Sequence, residues 1–210
     1  VSSAINWFFL KEEMGIIIED DCVVSQSFFD FCTILLDKYK TDTRVFHIDA
    51  SNFHKPINSS DYYFSKYALI WGWATWRRAW EKYDLNMTNY PEFKKLDTLN
   101  TVFKSKKEKK YWYKRLEQAY KSKINTWDYQ WFYTIWENQG LTIRPDENLI
   151  KNIGFDSKAT HTKKPNAILT SMKIRNPNYS NMSHPTSIIP RQDLDLITSL
   201  KRFNIGKSVF

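Results

Sequence analysis

Apolar positions in the first quarter of the chain switch between helical and strand spacing. Ile5 and the ring-rich stretch Trp7, Phe8 and Phe9 follow Ser2 and Ser3, which predicts a helix opening on a serine cap. The stretch MGIIIEDD (14–21) begins with a short, β-branched apolar run, the signature of a buried strand. Behind Ser25 and Ser27, the residues Phe28, Phe31, Leu35 and Tyr39 recur at helical spacing. RVFHIDA (44–50) then reads as the next strand. Helix, strand, helix, strand is the rhythm of an α/β fold.

Further along, residues 51–61 are polar, contain Pro56 and predict a loop. DYYFSKY (61–67) predicts a strand. WATWRRAWEKYD (73–84) predicts a helix with Trp73, Trp76 and Trp80 on one face. Residues 104–123 predict a long basic helix, and TWDYQWFYTIWENQG (126–140) another, stopped by Gly140. LTIRP (141–145) and NLIKNIG (148–154) predict short strands. From Lys163 onward the periodicity weakens among Pro165, Pro177, Pro185 and Pro190, which predicts an extended tail or lid with one short terminal helix. Two segments result, 1–162 and 163–210, with no internal repeat.

Composition narrows the class. Nine Trp, 12 Tyr and 14 Phe in 210 residues are too much ring surface for a disordered chain. Five glycines argue against a glycine-rich phosphate loop. A formal net charge of +8 favours an anionic partner, without choosing among nucleic acid, lipid headgroups and phosphorylated small molecules. Cys22 and Cys32 form neither metal-type spacing nor a disulfide framework, so a reduced, cytoplasmic setting is expected. No apolar run reaches membrane-span length, and no signal peptide is visible. The chain opens on Val1 and reads as helix at once, which gives the expectation of a piece cut from a longer protein.

The acids Glu19, Asp20 and Asp21 stand together at the end of the isoleucine run. Consecutive carboxylates repel, and read alone they also suit a solvated turn. At the C-terminal end of a buried strand in an open α/β sheet they sit where such sheets bind ligands. Carboxylates there suit Mg²⁺ or Mn²⁺, which take one or two protein carboxylates and complete their shell with diphosphate oxygens and water.

GIIIEDDCVVSQSFFDFCTILL (15–36) resembles the metal-binding segment of GT-A nucleotide-sugar glycosyltransferases, and is most similar to the group around N-acetylglucosaminyltransferase I. The blocks AINWFF, GIIIEDDC, YYFSKYALIWGWATWRRAW, TWDYQW, NIGF and ATHT are similar, in that order, to bacterial proteins described as nucleotide-diphospho-sugar transferases or hemolytic-protein-like. The resemblance covers residues 4–162 and implies a GT-A-like (Rossmann-like) mixed sheet flanked by helices. Only one helix precedes GIIIEDDC, so the first N-terminal strands and the base-binding half are expected to be missing, and this chain alone to have little or no activity.

The resemblance implies that Asp21 contacts the metal directly, with Asp20 and His161 completing its surroundings. Glu19, Trp71, Gly72, Trp73 and Trp127 are then expected to shape the donor and acceptor pocket. Asp128, in TWDYQW, takes the general-base role; the related group carries two acids at that point, and here Tyr129 stands in the second place. The implied reaction is inverting transfer of a sugar from a nucleotide-diphosphate donor to a glycan or related acceptor. Bland readings stand beside these. An Asp in the first turn of a helix is favoured by the dipole alone, and Trp73, Trp76 and Trp80 suit core packing. Arg77 and Arg78 fit phosphate or a solvated face, His47 a satisfied core histidine, and His54 and His184 carry no clear signal.

The basic run KSKKEKKYWYKR (104–115) suits a solvated helix face. It also suits docking on anionic lipid at the inner face of a membrane, in keeping with surface-glycan synthesis. Its rings Tyr111, Trp112 and Tyr113 also resemble a stacking groove for single-stranded nucleic acid, but no RNA-binding motif accompanies them and no nucleic-acid partner is expected. A non-catalytic basic module, binding nucleic acid or anionic membrane, is the competing hypothesis.

Overall fold

The computed structural model describes residues 1–154 and 172–206. Five strands form one mixed sheet in the order β1-β5-β3-β6-β4: β1 (Met14–Ile18), β3 (Val45–Asp49), β4 (Tyr62–Ser65), β5 (Gly72–Trp76) and β6 (Leu141–Pro145). Only β3 and β6 run parallel; β1 and β3 each pair antiparallel with β5, and β4 pairs antiparallel with β6. A second, two-stranded sheet joins β2 (Cys22–Val24) to β7 (Ile150–Asn152).

Helices cover both faces. On one lies α2 (Gln26–Lys38), whose Phe28, Phe31, Cys32 and Leu35 bury against Val45, Ile48, Ala74, Trp76 and Ile143 of the sheet. The other face carries α1 (Ser2–Phe9), α3 (Arg77–Trp80), α4 (Tyr90–Lys95), α5 (Leu99–Val102), α6 (Lys106–Tyr120) and α7 (Asp128–Glu137) around an aromatic core. Trp73, Trp112, Trp131 and Trp136 are fully buried there. This is the expected α/β architecture. No helix among the described residues is long and apolar enough to cross a membrane.

Three local expectations change. The isoleucine strand is not central: β1 is an edge strand bonded only to β5 among the described residues, with Ile16 and Ile17 half-buried and Ile18 exposed. Its apolar run reads like a buried strand because Ile16 and Ile17 face the two different cores. The span 73–84 is not one helix. Residues 72–76 are a strand held by β1 on one side and β3 on the other, and these ladder bonds override the helical spacing of the tryptophans. Trp73 and Trp76 consequently bury on opposite faces, Trp76 donating its indole N–H to Leu36 O at 2.9 Å. The serine cap of α1 differs too: its N-cap is Val1, whereas Ser25 does sit at the N-cap of α2, without a side-chain cap bond.

The described part of the C-terminal segment is stitched across the body of the fold. Ser27 donates to Asn176 Oδ1 at 2.7 Å, Tyr179 packs on Phe31 at 5.1 Å between ring centres, and Pro190 bridges to Phe64. It ends in α8 (Gln192–Arg202), which buries Leu194, Asp195, Thr198 and Ser199.

Candidate functional site

The acidic triplet occupies the tight turn between β1 and β2. Cys22 N–H donates to Glu19 O at 3.1 Å, and Glu19 N–H continues the β1–β5 ladder to Trp71 O at 2.9 Å. Trp71, just before β5, therefore lies directly beside Glu19. Gly72 faces Ile18 across the ladder and is buried.

The three acids have different surroundings. Asp20 is exposed, while Glu19 and Asp21 are half-buried. Glu19 Oε1 is shielded from solvent and accepts no hydrogen bond from the described residues. Burial raises the Glu19 pKa, and the charges of Asp21, Asp20 and Asp128 raise it further. Asp128 is thus within electrostatic reach of the turn. Asp21 Oδ1 accepts from the Cys22 thiol at 3.2 Å, and Ile153 N–H donates to Asp21 O at 2.7 Å. Burial next to Asp21 pushes the Cys22 thiol up, so it is a neutral donor. Gly154 lies against Asp21: a Cβ there would stand 2.8 Å from Asp21 Cβ and collide with the carboxylate.

Asp128 is the first residue of α7, with Trp127 as N-cap. Its Oδ1 accepts from Thr126 Oγ and from its neighbour Tyr129 N–H at 2.9 Å, leaving the other oxygen without a bond among the described residues. Trp127 is half-buried, stacks on Trp73 at 5.9 Å, and accepts a bond from Tyr83 OH on its carbonyl at 3.0 Å.

Trp73 is a correction. It is wholly buried among His47, Trp80, Trp127 and Trp131, so it supports Trp127 from behind instead of meeting a ligand. Arg77 and Arg78 are a second one. Arg77 Nε donates to Glu12 O at 3.1 Å, and Arg78 donates to the carbonyls of Tyr39, Lys40 and Val45. Arg78 thus closes the C-terminal end of α2. A strand, not a helix, begins directly after Trp71. His161 lies outside the described residues.

His47 is the core histidine expected. Its Nε2 faces Leu69 O at 3.0 Å and its Nδ1 faces the Trp131 indole N–H at 3.1 Å, a pairing that fits the neutral Nε2–H tautomer. Burial pulls its pKa down to about 3. The aromatic interleaving of α6 turns inward. Trp112 is fully buried against Phe132 and Trp136, and Tyr113 OH donates to Asp97 at 2.8 Å, so these two rings make no exposed stacking groove.

The reading from sequence missed Gly154 as a contact of Asp21, and Arg202 at the end of α8. The Arg202 guanidinium stands over the Trp71 ring at 5.3 Å. The NIGF block contained the first signal; Arg202 carried none, because a basic residue at a helix C-terminus is ordinary.

Among the described residues no three His, Cys, Asp or Glu side chains converge as a metal cage. The half-buried Asp21 and the unpaired Glu19 oxygen suit a cation that draws most of its shell from diphosphate and water. No protein-family model matches this chain, and no curated protein matches its sequence.

Proposed function

We propose that this chain carries the metal and acceptor side of a GT-A-like glycosyltransferase, which moves a sugar from a nucleotide-diphosphate donor to a glycan or related acceptor. The observation that supports this reading most is the proximity of Asp128, at the start of α7, to the Glu19–Asp21 turn, beside the rings of Trp71 and Trp127. A carboxylate with one oxygen unbonded among the described residues stands near a carboxylate turn suited to a divalent ion.

In the proposed reaction the acceptor hydroxyl oxygen attacks the anomeric carbon. The bond from that carbon to the diphosphate oxygen breaks, and its electron pair leaves with the nucleoside diphosphate. Asp128 takes the acceptor proton as the new bond forms, and a single displacement on the face opposite the diphosphate gives inversion. Bound at Asp21, with Asp20 and Glu19 beside it, Mn²⁺ or Mg²⁺ would stabilise the charge growing on the leaving diphosphate. Trp71 and Trp127 offer ring faces to sugar C–H groups or a base. The exposed lysines Lys106, Lys107, Lys110 and Lys114 of α6 suit peripheral contact with anionic lipid.

The test is calorimetric titration of the purified chain with UDP-, GDP- and other nucleotide sugars, with Mn²⁺ and with EDTA, alongside an assay of donor hydrolysis. Metal-dependent binding that is lost in Asp21→Asn supports the reading. Absence of metal-dependent nucleotide binding, with salt-sensitive oligonucleotide or vesicle binding unaffected by Asp21→Asn, would favour the non-catalytic module.

A further inference from the structure

Arg202 is an unusual cation for its position. It is half-buried, yet no carboxylate or hydrogen-bond acceptor among the described residues pairs with it. Its guanidinium instead stands over two rings, 5.3 Å from the Trp71 centroid and 5.4 Å from that of Phe203. An arginine stays ionised in a protein, and with no direct acceptor among the described residues its N–H donors are open to an anion.

The fold fixes this group firmly. Arg144, fully buried under α8, donates to Thr198 Oγ at 2.6 Å, and Asp195 accepts from Ser65 Oγ at 2.5 Å and Lys66 N–H at 3.0 Å. Lys201 donates to Phe53 O at 2.8 Å. On the far side of Arg202, Phe203 packs on Trp112 at 4.8 Å and Tyr67 at 5.4 Å. The guanidinium is thus held by bonds before it and rings after it.

Its neighbours place it at the site. Trp71, under its plane, bonds through its backbone to Glu19. Burial pushes the Arg202 pKa down, while the charges of Tyr129, Asp128, Tyr111 and Asp49 oppose this. Asp128 is thus within electrostatic reach of both Glu19 and Arg202.

We propose that Arg202 binds the diphosphate of the ligand: stacked on Trp71 beside the acidic turn, it supplies a fixed, planar cation that the turn itself lacks. The proposal rests on the glycosyl-transfer reading for the identity of the diphosphate as a leaving group. A guanidinium fork matches two phosphate oxygens at once, and the Trp71 ring beneath it restricts where the fork can lie before the ligand arrives. The turn brings carboxylates, so a second positive group is required to hold a dianionic diphosphate next to them.

The experiment titrates the full chain with UDP and with inorganic pyrophosphate, each with Mn²⁺ and with EDTA, for wild type, Arg202→Gln and Arg202→Lys. Thermal unfolding and circular dichroism report the fold of each variant. We expect Arg202→Gln to weaken diphosphate binding about 10- to 100-fold, the loss of one charge-assisted contact. Arg202→Lys, which keeps charge without the fork, falls between, and it carries the comparison if the Gln variant unfolds. Binding by both variants equal to wild type overturns the role of Arg202 and leaves the glycosyltransferase reading standing. Arg202-dependent binding of pyrophosphate without any binding of UDP supports the anion site and removes the nucleotide-sugar reading. Failure of wild type to bind either probe overturns both.

Discussion

Arg144 Nε lies 3.1 Å from Asp49 Oδ2, with both side chains cut off from solvent. The same guanidinium donates to Thr198 of α8 at 2.6 Å and to Ser51 O at 2.9 Å. Burial pushes the Asp49 carboxyl up to about 6, against the pull of Arg144. Removing one partner leaves an uncompensated buried charge. Arg144→Met should cost about 3–5 kcal/mol in urea unfolding at neutral pH. The double variant Asp49→Asn with Arg144→Met should recover much of that, and an unchanged single variant would refute the account.

Asp195 predicts a dependence on pH. Burial raises its pKa from 3.8 to about 6, with Ser65, Lys66 and Arg144 pulling the other way. The folded protein keeps this proton to higher pH than the unfolded chain, so its contribution to stability falls as pH rises from about 4 to about 6. Asp195→Asn removes that slope. The melting temperature of the variant, relative to wild type, should climb across the same window and then level off. A constant difference between pH 4 and pH 7 would contradict the assignment.

The acidic turn should cost stability when no cation is bound. Glu19 sits in the repulsion of Asp20, Asp21 and Asp128, and one of its oxygens is buried without a donor. Glu19→Gln, melted in EDTA near neutral pH, should unfold at higher temperature than wild type. The same variant should lose metal-dependent nucleotide binding. Gain on one measurement and loss on the other is the signature of strain held for function; a lower melting temperature would show that Glu19 has a structural partner.

Asp128→Asn separates chemistry from folding. The carboxylate lies in the first turn of α7, where the helix dipole contributes about 0.3–1 kcal/mol. Unfolding should therefore shift little. Transfer or donor hydrolysis should fall about 10²- to 10⁴-fold with donor affinity kept, as expected for a lost general base. Full turnover by this variant would move the base elsewhere, for example toward the acceptor itself.

Gly154→Ala tests the support of Asp21. The new methyl group would collide with the Asp21 carboxylate, and no left-handed backbone angle is involved, so the effect comes from contact alone. Metal-dependent binding should weaken about tenfold or more, in keeping with the cost of misplacing a ligand by a fraction of an ångström. Calorimetry with Mn²⁺ and UDP measures it, and unchanged affinity would show that Asp21 is not the metal contact.

Much of this architecture is legible in the chain. The periodicity of Phe28, Phe31 and Leu35 marks α2, the apolar run around His47 marks β3, and both lie as read. The tryptophans of 73–80 mislead because their spacing fits a helix face and also a strand running into a short helix. Pairing on both sides of β5 decides between them, and that information is tertiary. β1 misleads in a different way: an isoleucine run shows that two faces bury apolar surface, but not whether a second neighbour pairs with its edge. Glu19–Asp21 and Asp128 are visible as acids. Their nearness joins positions more than a hundred residues apart, which no local pattern encodes. Arg202 is hidden for the same reason.

The docking of α8 also sets an order in time. Trp71, the acidic turn and Asp128 all leave the ribosome before Gln192 does. The helix then seats on Arg144, which Asp49, Phe53 and Tyr63 contact from the other elements, and this brings Arg202 over Trp71. A nascent chain stalled short of α8 would possess the sheet and the carboxylates without the cation. Fluorescence or protease protection followed along stalled lengths would then see the fold mature earlier than the ability to bind a diphosphate.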